Sequence, residues 1–262
     1  MKQFLLITLL SLILSGCLIN AQEPTINPIE LQEISIQATG IYLTQAANAT
    51  AITAPPTTDT PQAEGITPFF RDDFDTELQP GWIWVNEDKK NWNLSTRPGT
   101  LMINIQGGYV SLGNAANLLL RSAPEGDFMI ETAVSALPED NNQFAGLILY
   151  ESDKNYIQMG NSFCSPVNGC TGQGIYIDTY RDGGLMLPRI VNKANLAYAA
   201  FRVIRHGSVY SFYMSSDGKL WYLVHQTQIA LNVFRVGLVT GQNVDDLIPS
   251  AYYDYFIIEK VK

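Results

Sequence analysis

Basic residues are scarce in this chain. Sixteen Lys and Arg stand against 25 Asp and Glu, a formal net charge of −9. Phosphate backbones are held by clustered cations, and no basic stripe is there to supply them, so nucleic acid is excluded as a partner. Histidine is scarcer still. His206 and His225 sit in a hairpin and a strand with no paired His, which rules out a zinc-hydrolase helix motif. Gly-x-Ser-x-Gly is missing, and with it the serine-hydrolase elbow. Residues 169–174, GCTGQG, lack the strand-to-helix setting of a phosphate loop. Beyond residue 69 no helical period persists over three turns, so that region is not expected to be helical.

Long apolar runs are also missing, except at the N-terminus. MKQFLLITLLSLILSGC carries one Lys and is short for a bilayer span, as a secretory signal is. It ends in Leu14-Ser15-Gly16-Cys17, which matches the lipobox of bacterial lipoproteins, where small residues admit a peptidase before a Cys already joined to diacylglycerol. Residues 1–16 are therefore expected to be removed, leaving Cys17 as a lipidated first residue; the alternative is a plain signal peptide with an incidental Cys. Each buried CH₂ contributes roughly 0.8 kcal/mol, so two or three acyl chains hold a protein to a membrane, here facing outside the cytoplasm. Loss of residues 1–16, which carry one Lys and no acid, takes the net charge from −9 to −10.

Cysteine is limited to three residues, and Cys17 leaves Cys164 and Cys170 as a pair. In an exported chain they are expected to form a disulfide across CSPVNGC, whose Pro166 and Asn168-Gly169 are turn formers. A zinc site would need more ligands than these two. Residues 17–68 contain no Lys or Arg and are rich in Ala, Thr and Pro, a composition that reads as a flexible tether.

From 69 to 262 the character changes. Short runs rich in Val, Ile, Tyr, Phe and Trp recur between Gly, Pro, Asn and Asp. Strands are expected at 69–74, 81–86, 91–95, 100–105, 109–112, 117–121, 126–136, 143–150, 155–160, 173–181, 185–191, 198–206, 208–215, 219–228, 233–240 and 252–260. That density predicts an all-β, two-sheet antiparallel sandwich with one core. Asp217-Gly218 predicts a hairpin, as does HGSVY at 206–210. Alternation puts Trp82 and Trp84 on one face and Ile83 and Val85 on the other, without saying which face is buried. Trp82 is assigned to the core and Trp221 to the core beneath its hairpin. Trp84 stays open between core and ligand platform, and Trp92 is placed at a loop edge.

Residues 72–103, DDFDTELQPGWIWVNEDKKNWNLSTRPGTLMI, resemble the opening of the concanavalin A-like sandwich that forms the C-terminal module of family 43 glycoside hydrolases, the β-xylosidase group. FAGLILYESDKNYIQMG, FRVIRHGSVYSFYMSSDGKLWYLV, FRVGLVTG and YYDYFIIEKV continue the likeness in order. The resemblance implies a jelly roll whose first and last strands lie together and whose concave face holds sugars in the wider superfamily. It also implies a structural calcium near that seam, for which Asp73 and Asp254 are the candidate ligands; the alternative is that these acids are solvated. It transfers no activity, because in those hydrolases the catalytic carboxylates lie in another domain, for which the tether is expected to leave no space.

The candidate carbohydrate-binding residues are Trp84 and Trp92 for stacking, with Asn86, Glu87, Arg97, Tyr150, Tyr176 and Arg189 for hydroxyl groups. Glu125, Asp127 and Glu131 approach the spacing of glucanase carboxylates with the last acid displaced, so hydrolysis is kept as an alternative. The expectation is a surface lipoprotein with a non-catalytic, lectin-like module for a polysaccharide or glycan. An endo-acting glycoside hydrolase and a protein-binding scaffold are the other readings.

Overall fold

The computed structural model describes residues 69–166, 170–194, 196–244 and 247–261. The signal, Cys17 and the tether lie outside the described residues. In chain order the strands are β1 (Phe70–Asp72), β2 (Ile83–Val85), β3 (Trp92–Asn93), β4 (Leu101–Asn104), β5 (Leu118–Ser122) and β6 (Phe128–Ser135). Next come β7 (Phe144–Ser152), β8 (Asn155–Cys164), β9 (Gly172–Arg181), β10 (Gly184–Leu185) and β11 (Ile190–Asn192). The chain closes with β12 (Tyr198–His206), β13 (Val209–Ser215), β14 (Tyr222–Gln228), β15 (Arg235–Gly241) and β16 (Ser250–Lys260).

They form two antiparallel sheets of eight strands. The first runs β14-β13-β12-β6-β16-β4-β3, with β1 also on β16; the second runs β10-β9-β8-β7-β15-β5-β2, with β11 also on β9. Phe70 pairs with Ile258, so the first and last strands lie side by side as expected. Period-two alternation builds the core. Ile157 and Met159 of β8 and Ile175 and Ile177 of β9 meet Ile130, Phe201, Phe212 and Phe256 of the facing sheet. Each such side chain contributes roughly 1.5–3 kcal/mol when fully buried. No helix among the described residues is long and apolar enough to cross a membrane.

The opposite face of the second sheet is also covered. There Leu118, Leu120, Phe144 and Ile148 pack with Val110 and Ala115 from the segment linking β4 to β5. This segment departs from expectation: 109–112 is not a strand, and Val110–Leu112 form a single turn of 3-10 helix ended by Gly113 at φ +69°. It lies over the sheet rather than within it, and Tyr109 and Ser111 face the cleft described below.

Three other expectations need correction. The run 185–191 is broken by Pro188, which cannot donate to a ladder, so β10 and β11 are separate. The hairpin at Asp217 is wider than a two-residue turn: β13 ends at Ser215 and β14 starts at Tyr222. The Asp217 carboxylate stabilises that loop by accepting from the Lys219 and Leu220 amides. Trp221, expected in the core, instead lies half-buried with the Arg202 guanidinium 3.9 Å from its ring centroid. The 206–210 hairpin is tight, with His206 paired to Val209.

Trp82 packs against the core, edge-on to Phe70 and Phe256 at 5.7 and 5.0 Å. Its indole N–H donates to the buried Asp72 carboxylate at 2.7 Å. Asp72 also accepts from the Phe74 and Gln79 amides, which fastens the chain between β1 and β2.

Candidate functional site

A cleft of about 1020 Å³ opens on the outer face of the second sheet, over β8 and β9. Alternation makes its floor. In β9, Ile175 and Ile177 point to the core, so Tyr176, Asp178 and Tyr180 point away from it. Register then sets Gln158 of β8 opposite Asp178. The Asp178 side chain is only 2% exposed. A buried carboxylate needs partners, and two residues give it three hydrogen bonds. Arg189 donates from Nε to Oδ1 at 2.7 Å and from Nη2 to Oδ2 at 2.6 Å, and Gln158 Nε2 donates to Oδ2 at 3.3 Å.

Arg189 reaches down from the connection between β10 and β11, with its guanidinium 4.7 Å from the Tyr176 ring centroid. Burial works to lower the Arg189 pKa, but the hydrogen bonds and charge of Asp178 outweigh it and the net shift is upward. The pair is therefore charged yet neutral as a unit.

Aromatic rings form much of the remaining surface. Tyr180 stacks on Tyr156 with centroids 4.5 Å apart and planes at 13°. The Tyr176 hydroxyl donates to the Gly172 carbonyl at 2.7 Å, and the Tyr109 hydroxyl to Asn243 Oδ1 at 2.6 Å. Burial pushes the Tyr109 phenol up to about 12. Both hydroxyls are engaged within the chain, so these residues offer mainly ring surface. Cys164 and Cys170, joined in a disulfide with Cα atoms 5.4 Å apart, line one side. Leu112 and Leu187, 70% and 78% exposed, stand at the rim. Ring faces with a few fixed polar groups suit a ligand that stacks and carries hydroxyls.

Of the candidate sugar-binding residues, Tyr176 and Arg189 come together here. Tyr150 belongs to the same outer layer, but its hydroxyl donates to Asp153 at 2.8 Å and it does not line the cleft. Trp84 and Trp92 stack on each other at 4.6 Å and pack against the core. The Trp92 N–H donates to Glu87 at 3.2 Å, and Trp92 walls a separate groove of about 830 Å³ with Asp75, Glu77 and Lys89. Asn86, at φ +51°, donates to the Gly113 and Ala115 carbonyls and so ties the 3-10 segment down. The Arg97 guanidinium lies 4.1 Å from the Tyr252 ring centroid, in the first sheet.

Among the described residues, no group of three or more His, Cys, Asp and Glu is placed to hold a metal ion. Both Asp73 oxygens accept from Arg71, at 2.9 and 2.5 Å. Burial raises the pKa of Asp254, against the opposing effects of a Tyr198 hydrogen bond and the Arg97 charge. With Asp73 engaged by Arg71, these two acids do not form a ligand set that fits calcium.

The carboxylates considered for hydrolysis lie elsewhere. Glu131, on the outer face of the first sheet, accepts from Arg202 Nε at 2.7 Å and from the Tyr255 hydroxyl at 2.7 Å. Asp127 accepts from the Gly207 amide, and Glu125 precedes a turn with Gly126 at φ +79°. Asp178 is the carboxylate lining the cleft among the described residues. Paired-carboxylate hydrolysis needs a second acid roughly 5–9.5 Å away.

Sequence reasoning missed Tyr109, Asn142, Gln158, Asp178 and Tyr180. Part of the signal was there: in IYIDTY an acid alternates with two tyrosines, opposite isoleucines.

The family described as the beta xylosidase C-terminal concanavalin A-like domain matches residues 71–241. Similar solved structures include the GH43 BlXynB protein from Bacillus licheniformis, at 20% identity and TM-score 0.64, covering 79% of this chain and 42% of that one. Xylan beta-1,4-xylosidase from Bacillus halodurans C-125 gives 19% identity and TM-score 0.61, with coverage of 79% and 42%. Beta-glucanase from Bacillus licheniformis gives 11% identity and TM-score 0.54, with coverage of 73% and 98%. At these identities the likeness is one of fold. The chain spans less than half the length of the two GH43 structures. No curated protein matches it.

Proposed function

This chain belongs to the family of beta xylosidase C-terminal concanavalin A-like domains, and from that premise we propose that it binds a polysaccharide in the cleft over β8 and β9 without hydrolysing it. The observation that carries the reading is the Arg189–Asp178–Gln158 floor among the rings of Tyr109, Tyr176 and Tyr180. Support also comes from the likeness in fold to xylan beta-1,4-xylosidase from Bacillus halodurans C-125. Asp178, the one carboxylate lining the cleft among the described residues, is already held by Arg189, which supports a binding role over a hydrolytic one.

The test is titration of the full chain, purified in detergent, with xylan oligosaccharides and a panel of β-glucans. Binding is expected without release of new reducing ends. Tyr180→Ala should weaken it about tenfold, the order of a lost aromatic contact. Trp92→Ala, in the separate groove, should leave it unchanged. Binding that depends on Trp92 and not on Tyr180 would move the site elsewhere, and reducing-end release would make the protein an enzyme.

The lipobox motivates a second element of the reading: Cys17 carries the lipid that holds the domain outside the cytoplasm. In detergent phase separation the chain is expected in the detergent phase and Cys17→Ser in the aqueous phase. Equal partitioning of the two would remove the anchor.

A further inference from the structure

Sheet edges are where this fold has hydrogen bonds to spare. An edge strand carries a row of backbone groups without partners, and proteins blunt such rows by keeping them short or by placing charges or proline on them. Among the described residues three of the four edges are short. β3 and β1, on one side of the first sheet, have two and three residues; at the two sides of the second sheet β2 has three, and β10 and β11 have two and three. β14 is different. Its seven residues, YLVHQTQ, form the other side of the first sheet without a proline, Asp, Glu, Lys or Arg, and the seven residues of β13 beside it contain none either.

The phase of the ladder shows which groups are spare. Four register pairs run unbroken from Val209–Gln228 to Phe212–His225, before a bulge at Val224. Next to them the Ile229 N–H donates to the Ser208 carbonyl at 2.8 Å. Antiparallel ladders alternate bonded and unbonded pairs, so Thr227 and His225 bond to β13 while the N–H and C=O of Gln226 and Gln228 point away from it. No backbone group of the described residues meets them there. Apolar surface adjoins this open edge. Leu220, Tyr222 and Leu223 are 64%, 58% and 56% exposed and stand, with Trp221, in one consecutive run. Single exposed leucines are ordinary, whereas a consecutive run beside unpaired backbone marks an interaction surface.

We infer that β14 is a self-association edge: the β14 of a second copy pairs antiparallel with it about a twofold axis and joins the two first sheets into one continuous sheet. Charge and edge count identify the occupant. A chain of net charge −9 repels its own copy, but a strand without acidic or basic side chains sets no like charges opposite each other across the axis. With one long open edge among the described residues, self-pairing covers that edge on both copies and closes as a dimer, where a second open edge would lead on to a filament. A different protein would have to bring an open edge of its own. A second copy brings one by symmetry.

The test is the association state of the full chain in detergent, read by sedimentation equilibrium with the detergent mass subtracted, together with amide hydrogen exchange. The parent should be a dimer that dissociates on dilution, with the Gln226 and Gln228 amides protected in the dimer and exchanging freely in the monomer. Gln226→Pro removes an outward N–H and no bond to β13, so it should fold and weaken the dimer at least about tenfold, while Gln226→Val keeps the N–H and should match the parent. Leu223→Lys, which puts a cation on the exposed edge, should weaken the dimer by at least about tenfold as well. Leu137→Lys, at an exposed leucine between β6 and β7, should leave it unchanged. Chains that merely share a micelle would be indifferent to residues 223 and 226. A monomeric parent, a dimer that Gln226→Pro and Leu223→Lys leave intact, an equal loss in Leu137→Lys, or protection of Gln226 and Gln228 in a monomer, where another part of the chain covers the edge, would each overturn the inference. Should Gln226→Pro fail to fold, Leu223→Lys decides alone.

Discussion

Replacing Asp178 by Ala is expected to cost about 3–5 kcal/mol of folding stability, the range for removing one partner of a buried ion pair, and to abolish binding at the cleft. The carboxylate is 2% exposed and its Arg189 partner 21% exposed, so neither charge is well hydrated in the fold. Without Asp178 the guanidinium keeps its charge and loses both of its short bonds, and Gln158 loses its acceptor. Removing both charges together is far less damaging, because no unpaired ion remains. Asp178→Ala with Arg189→Met should therefore recover most of the stability, to within about 1–2 kcal/mol of the parent, without recovering binding. Urea unfolding of the parent, the two single variants and the double variant measures the coupling. Additive losses would mean that the pair is not a unit.

The other large effect is steric. Gly237 sits in β15, between Leu120 of β5 and Ile148 of β7. A Cβ on Gly237 would come 1.9 Å from the Leu119 carbonyl oxygen, far inside any tolerated contact. Gly146 and Gly160 face each other across β7 and β8, and a Cβ there would meet the Met159 and Ala145 oxygens at 2.1 and 2.2 Å. Backbones approach at these three points because no side chain holds them apart. Gly237→Ala should therefore lose at least about 3 kcal/mol or accumulate as insoluble protein, an effect of overpacking with nowhere to relax. Gly184→Ala, whose nearest neighbour would be Arg181 O at 3.5 Å, should change stability by no more than about 0.5 kcal/mol. Chemical denaturation of both variants checks the contrast, and equal stability would show that the strands can spread.

Much of the fold was legible because alternation is a local signal. Ile175 and Ile177, or Ile157 and Met159, announce a buried face within five residues of chain. The seam of β1 and β16 was accessible through the family resemblance rather than through patterning. The site was less legible for three separate reasons. Alternation around Trp84 separates two faces but does not rank them: Trp82 and Trp84 turn inward while Ile83 is 44% exposed. The indoles of Trp84 and Trp92, which read as sugar platforms, here stack on each other as a brace between β2 and β3. Next, Tyr109 and Ser111 reach the cleft only because a segment that scans as a strand folds over the sheet as a 3-10 turn. Finally, Asp178 looks like a surface acid in isolation, since its meaning depends on Arg189, which arrives from beyond the strand interruption at Pro188. Arg189 itself was identified from the sequence, but as a hydroxyl donor without its partner.

The most direct test of the central claim is amide and side-chain chemical-shift mapping of the full chain titrated with xylohexaose. The largest shifts are predicted at Ser111, Asn142, Gln158, Asp178 and the Arg189 guanidinium, on the outer face of the second sheet. Shifts confined to Trp92, Asn93 and Ser95 in the other groove, or spread over the first sheet around Tyr252 and Tyr255, would contradict it.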